Sequence, residues 1–344
     1  MSAGLHVRFV VDPRDPCPTW STSVLRDALR ATGHVVDVRS SVGSLAGVDL
    51  VHAFGARAAD DARESCAGRV PWVLSLREGS IDDSADPDEL GRVAAGAESL
   101  LVRSSAQEDR LMRAGVARAR SVALPVGVDT TTFVRRGPMA NRTPRHRLMV
   151  ELATQSTGLE EALLVLAHQD DLELVALGLA DQRDVARQQT DHLLGRAAEM
   201  GIRDRVLVSW FREPREKAWW LRSAHVALAL AGPPGRPDFI AEAMACGVAV
   251  VATPVEAQRE LVVHGVTGFF VAERDSAAVL RAVRDVVKDD FRVEALGLAG
   301  ADRALGRFAW DRVAVELASA YERVVGRVAG DSSIDDDLEI EQTG

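Results

Sequence analysis

Six short apolar runs in the first 124 residues alternate with stretches whose apolar residues recur at helical spacing. The runs are HVRFVV (6–11), VVDV (35–38), DLVH (49–52), WVLSL (72–76), SLLV (99–102) and SVAL (121–124). This alternation predicts strands joined by helices, and therefore βαβ units and a parallel sheet. Between the first two runs, STSVLRDALRATG (21–33) places Val24, Leu25, Ala28 and Leu29 on one face and stops at Gly33, a glycine C-cap. Ser105 followed by Glu108 predicts a capping box that opens a helix over 105–115. RRGPMANRTPRHR (135–147), with a Gly, two Pro and five Arg, breaks the pattern and reads as an interdomain linker.

The pattern then resumes. RLMVEL (147–152), LELVALG (172–178), RVLVSW (205–210), HVALALA (225–231), VAVVAT (248–253) and GFFV (268–271) predict a second set of strands with helices between them. The fold class expected is α/β, with two doubly wound, Rossmann-like parallel sheets: an N-terminal domain over 1–134, the linker at 135–147 and a C-terminal domain over 148–309. Ligands are expected where the carboxyl ends of strands face an interdomain cleft. A helical pattern at 310–328 is expected to cross back onto the first domain, followed by an acidic disordered tail at 329–344.

Composition narrows the class without changing this picture. A chain of 344 residues exceeds one ordinary core, and 47% hydrophobic with 27% charged residues is enough to bury two. No stretch approaches the roughly 18 consecutive apolar residues of a membrane span, so the protein is expected not to be integral to a membrane. MSAGLHVRFVVDP reaches a charged strand without a basic region or a long apolar core, which argues against a secretory signal and for a cytoplasmic location. Cys17, Cys66 and Cys246 are odd in number and widely spaced, fitting neither a disulfide framework nor a zinc site. Of the ten excess negative charges, six lie in DSSIDDDLEIEQTG (331–344), and this acidity argues against a nucleic-acid partner. The tail reads as a solvated segment or, alternatively, as a docking segment.

Two segments carry a family resemblance. EAMACGVAVVATPVEAQRELVVHGVTGFFV (242–271), with Glu260, Gly265, Thr267 and Gly268, is similar to the donor-site block of the retaining GT-B glycosyltransferases of family four. LPVGVDTTTF (124–133) resembles the signature that ends that family's first domain, with Val126 where the family has Asn. DLVHAFG (49–55), VRSSAQEDRLMRAGV (102–116) and FAWDRVAVELASAYERVV (308–325) are weaker echoes. The resemblance implies the GT-B fold with the first domain on the acceptor side and the second binding the nucleotide sugar, that sugar nucleotide as co-substrate with no other cofactor, and an acceptor that the sequence does not name. It also implies retaining, metal-independent transfer.

The chemistry of the block is legible by itself. Pro237 suits a first helical turn, where its missing N–H costs nothing, and the backbone N–H groups of 238 to 241, including Phe239 and Ile240, are then free to meet a phosphate. Glu242 lies one turn further in. The resemblance implies that it accepts hydrogen bonds from a ribose diol, and the plainer alternative is a glutamate capping its own helix start. Ala243, Ala245 and Gly247 permit tight packing under the next strand.

Elsewhere the sequence departs from the family. The second carboxylate expected eight residues before Glu242 is replaced by Pro234. Asp238 is the nearest substitute, four residues before Glu242, and it also reads as an acid answering the helix dipole. The family's diphosphate-neutralising Arg and Lys-Gly fall on Glu151 and on Thr157 with Gly158. Stabilising a leaving group with preorganised positive charge is often the largest catalytic contribution, with one lost contact worth on the order of 2.7–4 kcal/mol. The loop DPRDPCPTWSTS (12–23) lacks the family's glycines, and Trp20 fills some of that space. Arg77 stands where the family often has His against the donor sugar, so it is the candidate for compensating catalytic charge, or else a partner of Glu78 or Glu151.

Phe211, with Trp210 and Arg212 just past a strand end, is placed to stack on a nucleobase; core packing is the alternative for Trp210. Trp219 and Trp220 read as helix-packing residues, and His52 as a strand-end histidine that is either satisfied internally or touches a ligand. The acidic pairs at 60–61, 82–83 and 289–290 lack a companion ligand at metal spacing, so no metal is expected. Two functions follow. The first is glycosyl transfer from a nucleotide sugar, with Arg77 and Asp238 as catalytic candidates and Glu242, Phe239, Ile240, Thr157, Gly158 and Phe211 holding the donor. The second is a catalytically silent homologue that serves as scaffold or regulatory partner of an active glycosyltransferase, motivated by the replacements at Val126, Glu151, Thr157, Pro234 and Arg77.

Overall fold

All twelve expected strands form, each within two residues of the apolar run that predicted it. The computed structural model describes residues 4–12, 19–76, 87–152, 158–230, 237–255 and 258–341. It divides into two units, 1–125 with 310–344, and 126–309.

In the first unit the chain runs β1 (His6–Val11), α1 (Thr19–Ala31), β2 (Val35–Arg39), β3 (Leu50–Phe54), α2 (Ala56–Cys66) and β4 (Trp72–Ser75). It continues through α3 (Pro87–Ala94), β5 (Ser99–Val102), α4 (Ser105–Arg113) and β6 (Ser121–Ala123). The strands make one parallel sheet in the order β2-β1-β3-β4-β5-β6. Alternate side chains of a strand face opposite layers. Val7 and Phe9 accordingly pack with Leu25 and Leu29 of α1, while Val10 joins Ala58 and Ala62 of α2 and Leu111 of α4. α4 begins one residue earlier than the expected capping box. Ser104 Oγ accepts from the Gln107 N–H and Gln107 Oε1 accepts from the Arg103 N–H, so Gln107 closes the box. Glu108 instead accepts from Ser121 and pairs with Arg118.

The second unit contains β7 (His146–Leu152), α5 (Leu159–Ala167), β8 (Leu172–Leu179), α6 (Arg187–Glu199), β9 (Val206–Phe211), α7 (Pro214–Leu221) and β10 (Val226–Ala229). There follow α8 (Pro237–Ala245), β11 (Ala249–Ala252), α9 (Gln258–Leu261), β12 (Gly268–Phe270), α10 (Ser276–Val287) and α11 (Asp290–Arg303). Its sheet is also parallel, ordered β12-β11-β10-β7-β8-β9, so the winding reverses between β7 and β10. That reversal is where an open parallel sheet leaves a crevice at its carboxyl end. Helices α5, α6 and α10 cover one face, and α8 packs on β10 and β11 beside α7 and α11. Gly297 makes the α8–α11 approach possible, because a Cβ there would lie 2.1 Å from the Gly247 carbonyl oxygen.

The division at 125/126 falls ahead of the linker expected at 135–147, and 126–147 belongs to the second unit. The reason is a set of backbone anchors that the sequence pattern does not show. Arg222 Nε donates to the Pro138 carbonyl at 2.6 Å, Arg147 Nη2 to the Asn141 carbonyl at 2.8 Å, and the Val128 N–H to the Phe308 carbonyl at 2.7 Å.

The last helix, α12 (Trp310–Glu341), belongs to the first unit, where Leu317, Tyr321 and Val324 complete the α1 face of the core. Its backbone stays helical through 329–341, where disorder was expected; once a helix is nucleated, each further residue adds a hydrogen bond for little ordering cost. Among the described residues no helix is long and apolar enough to cross a membrane.

Candidate functional site

Helix α8 enters the sheet's carboxyl end with Pro237 in its first turn and buries every side chain except Asp238. Phe239 and Ile240 are buried, so what these two positions can offer a ligand is backbone N–H, the first-turn donors of the helix. Asp238 is exposed. One turn in, Glu242 is buried, and its Oε2 lies 2.5 Å from Lys217 Nζ.

Lys217 is the residue that the sequence reading missed. It lies on α7, on the buried stripe with Ala218 and Leu221, and its ammonium also lies 2.5 Å from Glu151 Oε1 at the end of β7. Phe211 and Phe239 complete the enclosure, with their ring centroids 5.3 Å and 5.7 Å from Nζ. One signal was available: Lys217 is one of only two lysines in a chain with 41 basic residues. A compact ammonium fits between two carboxylates where a planar guanidinium would not.

Two carboxylates around one ammonium leave the cluster with one net negative charge. Burial alone would lower the Lys217 ammonium, but Glu151 and Glu242 together hold it above its usual range. The Glu242 carboxyl is pushed up to about 7, first by burial; the attraction of Lys217 opposes this shift, and the charges of Glu151 and Asp238 add to it. Glu242 is thus poised to change charge near neutrality. The cation that Lys217 supplies is committed to two acids.

The structure gathers Glu242, Phe239 and Phe211 around Lys217, together with Glu151. The Phe211 ring, expected to stack on a nucleobase, is buried against the Lys217 ammonium. The neighbouring Trp210 is half-buried; its ring rests on Gly178, where a Cβ would lie 2.4 Å away, and Arg183 lies over it at 5.6 Å. Gly158 caps α5 in the left-handed region at φ 86°, against Leu230 just past β10. A Cβ at 158 would sit 2.3 Å from Leu230 Cβ, so only glycine fits this crossing at the winding reversal. Arg77, Thr157, Pro234 and Cys17 lie outside the described residues. His52, in the first unit, is satisfied internally, with both ring nitrogens engaged by side chains.

Residues 135–303 match the family model of the glycosyl transferases group 1. The second unit belongs to that family. A D-inositol 3-phosphate glycosyltransferase of Xylanimonas cellulosilytica is 32% identical over 69% of this chain and 59% of its own length. An alpha-maltose-1-phosphate synthase of Mycobacterium tuberculosis is 29% identical over 65% of this chain and 56% of its own length. The match thus spans less than two thirds of either relative. The solved sucrose-phosphate synthase of Thermosynechococcus elongatus superposes with a TM-score of 0.78 at 18% identity, over 94% of this chain and all of that one. Two helix-flanked parallel six-stranded sheets, as in that GT-B neighbour, are the fold expected from the strand pattern.

Proposed function

We propose that the protein transfers a glycosyl group, with retention, from a nucleotide sugar held by the second unit to a hydroxylated acceptor. The observation that carries this reading is Glu242: a buried carboxylate one turn inside α8, at the carboxyl end of a parallel sheet, within the stretch that matches the glycosyl transferases group 1. The names of the curated relatives, a D-inositol 3-phosphate glycosyltransferase and an alpha-maltose-1-phosphate synthase, support transfer to a hydroxylated or phosphorylated acceptor.

In this reading the first-turn N–H groups of α8 meet the donor phosphate and the Glu242 carboxylate accepts from the ribose hydroxyls. Lys217 keeps Glu242 ionised enough to do so, since burial with Glu151 and Asp238 works the other way. The reaction proceeds without a protein-bound metal, as the family resemblance implies; Arg77 is the candidate for the compensating positive charge and Asp238 for the second carboxylate.

The test is a panel of UDP-, GDP-, ADP- and dTDP-sugars screened by thermal shift, then by nucleoside diphosphate release with D-inositol 3-phosphate or a sugar phosphate as acceptor. A ligand at 100 times its dissociation constant stabilises a fold by about 2.7 kcal/mol. A shift with at least one donor, followed by release, is the expected result. The absence of any shift and any release overturns the reading, and binding without release would favour the silent scaffold or regulatory homologue.

A further inference from the structure

His52 sits at the middle of β3, fully buried, with Nδ1 2.6 Å from the Tyr321 hydroxyl and Nε2 2.7 Å from Ser75 Oγ. Register explains the meeting: Ser75 pairs with Phe54 across β3 and β4, which puts it on the face that His52 shares with α12. Tyr321 is also fully buried, and among the described residues its hydroxyl has no hydrogen-bond partner besides His52.

A buried hydroxyl must use its proton, and Nδ1 is the acceptor within reach. Tyr321 therefore donates to Nδ1, and the ring proton of a neutral imidazole is left on Nε2. Burial keeps His52 neutral, its pKa pushed down to about 3. Nε2–H then donates to Ser75 Oγ, and the Ser75 proton must point away from His52. No acceptor among the described residues takes it. Ser75 is half-buried as the last residue of β4, its carbonyl held by the Gly55 N–H at 2.9 Å. That end of an open parallel sheet is where ligands bind.

We infer that Ser75 is a hydrogen-bond donor to the acceptor substrate, with its proton turned outward by Tyr321 acting through His52. The inference rests on the proposed transfer reaction and on the first unit holding the acceptor. The group recognised is an oxygen of the acceptor, a hydroxyl or a phosphate oxygen, other than the one that attacks the donor sugar, because a donor bond to the attacking oxygen would lower its nucleophilicity. Ser75 touches substrate; Tyr321 and His52 are positioning residues.

The direction of the relay is testable without any substrate. In protein labelled with 15N-histidine, with His52 assigned by the signal lost in His52→Gln, the expected form is the Nε2–H tautomer, shifting toward Nδ1–H in Tyr321→Phe. An Nδ1–H tautomer in the wild type overturns the inference even if the protein transfers sugar. In the transfer assay, Ser75→Ala and Tyr321→Phe are each expected to raise the acceptor KM about tenfold, the loss of one neutral hydrogen bond, with kcat and the donor KM within about twofold. Ser75→Thr, which keeps the hydroxyl, restores the acceptor KM. An unchanged acceptor KM in folded Ser75→Ala overturns the role. The Nε2–H tautomer in a protein that transfers nothing would sink the transfer reading, leaving the relay an internal bond.

Discussion

Lys217 Nζ lies 2.5 Å from Glu242 Oε2, and this contact joins α7 to α8. Removing the ammonium leaves the buried Glu242 carboxylate and the half-buried Glu151 carboxylate without their shared counter-charge. Lys217→Met is expected to lower stability by about 3–5 kcal/mol, the usual cost of orphaning a buried ion. Adding Glu151→Gln and Glu242→Gln to Lys217→Met should recover most of that loss. Urea unfolding of both variants is the check, and a wild-type midpoint for Lys217→Met would show that the cluster is not structural.

The raised carboxyl of Glu242 predicts a pH dependence with a definite sign. The folded value is about 7 against an ordinary 4.5, so the folded state holds a proton that the unfolded chain has lost between those pH values. Stability from this group is therefore full below pH 4.5 and declines as pH rises toward 7. In a difference curve of unfolding free energy against pH, wild type minus Glu242→Gln should fall across that window. A flat difference would mean that Glu242 titrates in its ordinary range.

His52 predicts the opposite slope, over an overlapping window that reaches further into acid. Burial holds its folded value at about 3 against an ordinary 6.5, so the unfolded chain binds a proton that the folded protein refuses. Its contribution is present above pH 6.5 and is lost as pH falls toward 3. Acid unfolding of His52→Gln, followed by circular dichroism, should be less steep than that of the wild type. His225, lowered to about 4 mainly by burial and then by Arg142, keeps part of the slope in that variant.

Gly158→Ala tests the crossing at the winding reversal. The new methyl would meet Leu230 Cβ at 2.3 Å, on a backbone held at φ 86°. Left-handed strain together with overpacking predicts a loss of about 2–4 kcal/mol, read as a lowered thermal midpoint. Nucleotide-sugar affinity should fall in the same variant, if α5 carries part of the donor site.

The twelve strands were legible because a parallel sheet covered on both faces demands apolar runs of that length, and little else in a soluble chain produces them. The site was legible only in part. Glu242 stood out as a carboxylate in an otherwise apolar helix, but its partner comes from 25 residues upstream, on a helix whose tryptophans drew attention away from Lys217. The burial of Phe211 was not legible, because a residue at a strand end can turn toward a ligand or back under a neighbouring helix, and periodicity alone does not say which. The relay from Tyr321 to Ser75 joins residues 246 positions apart; only the return of α12 to the first sheet brings them together.

That return also has a bearing on how the chain is made. The core that holds Phe9, Leu29 and His52 is closed by Leu317 and Tyr321, whereas residues 126–309 form a unit from one continuous stretch. On the ribosome the inserted unit can finish folding first, while the opening sheet waits, with one apolar face unsealed, for residues 310–324 to emerge. A chain stalled before Trp310 would thus carry a finished middle and an unfinished beginning, and that open face is where nascent-chain chaperones would be expected to bind.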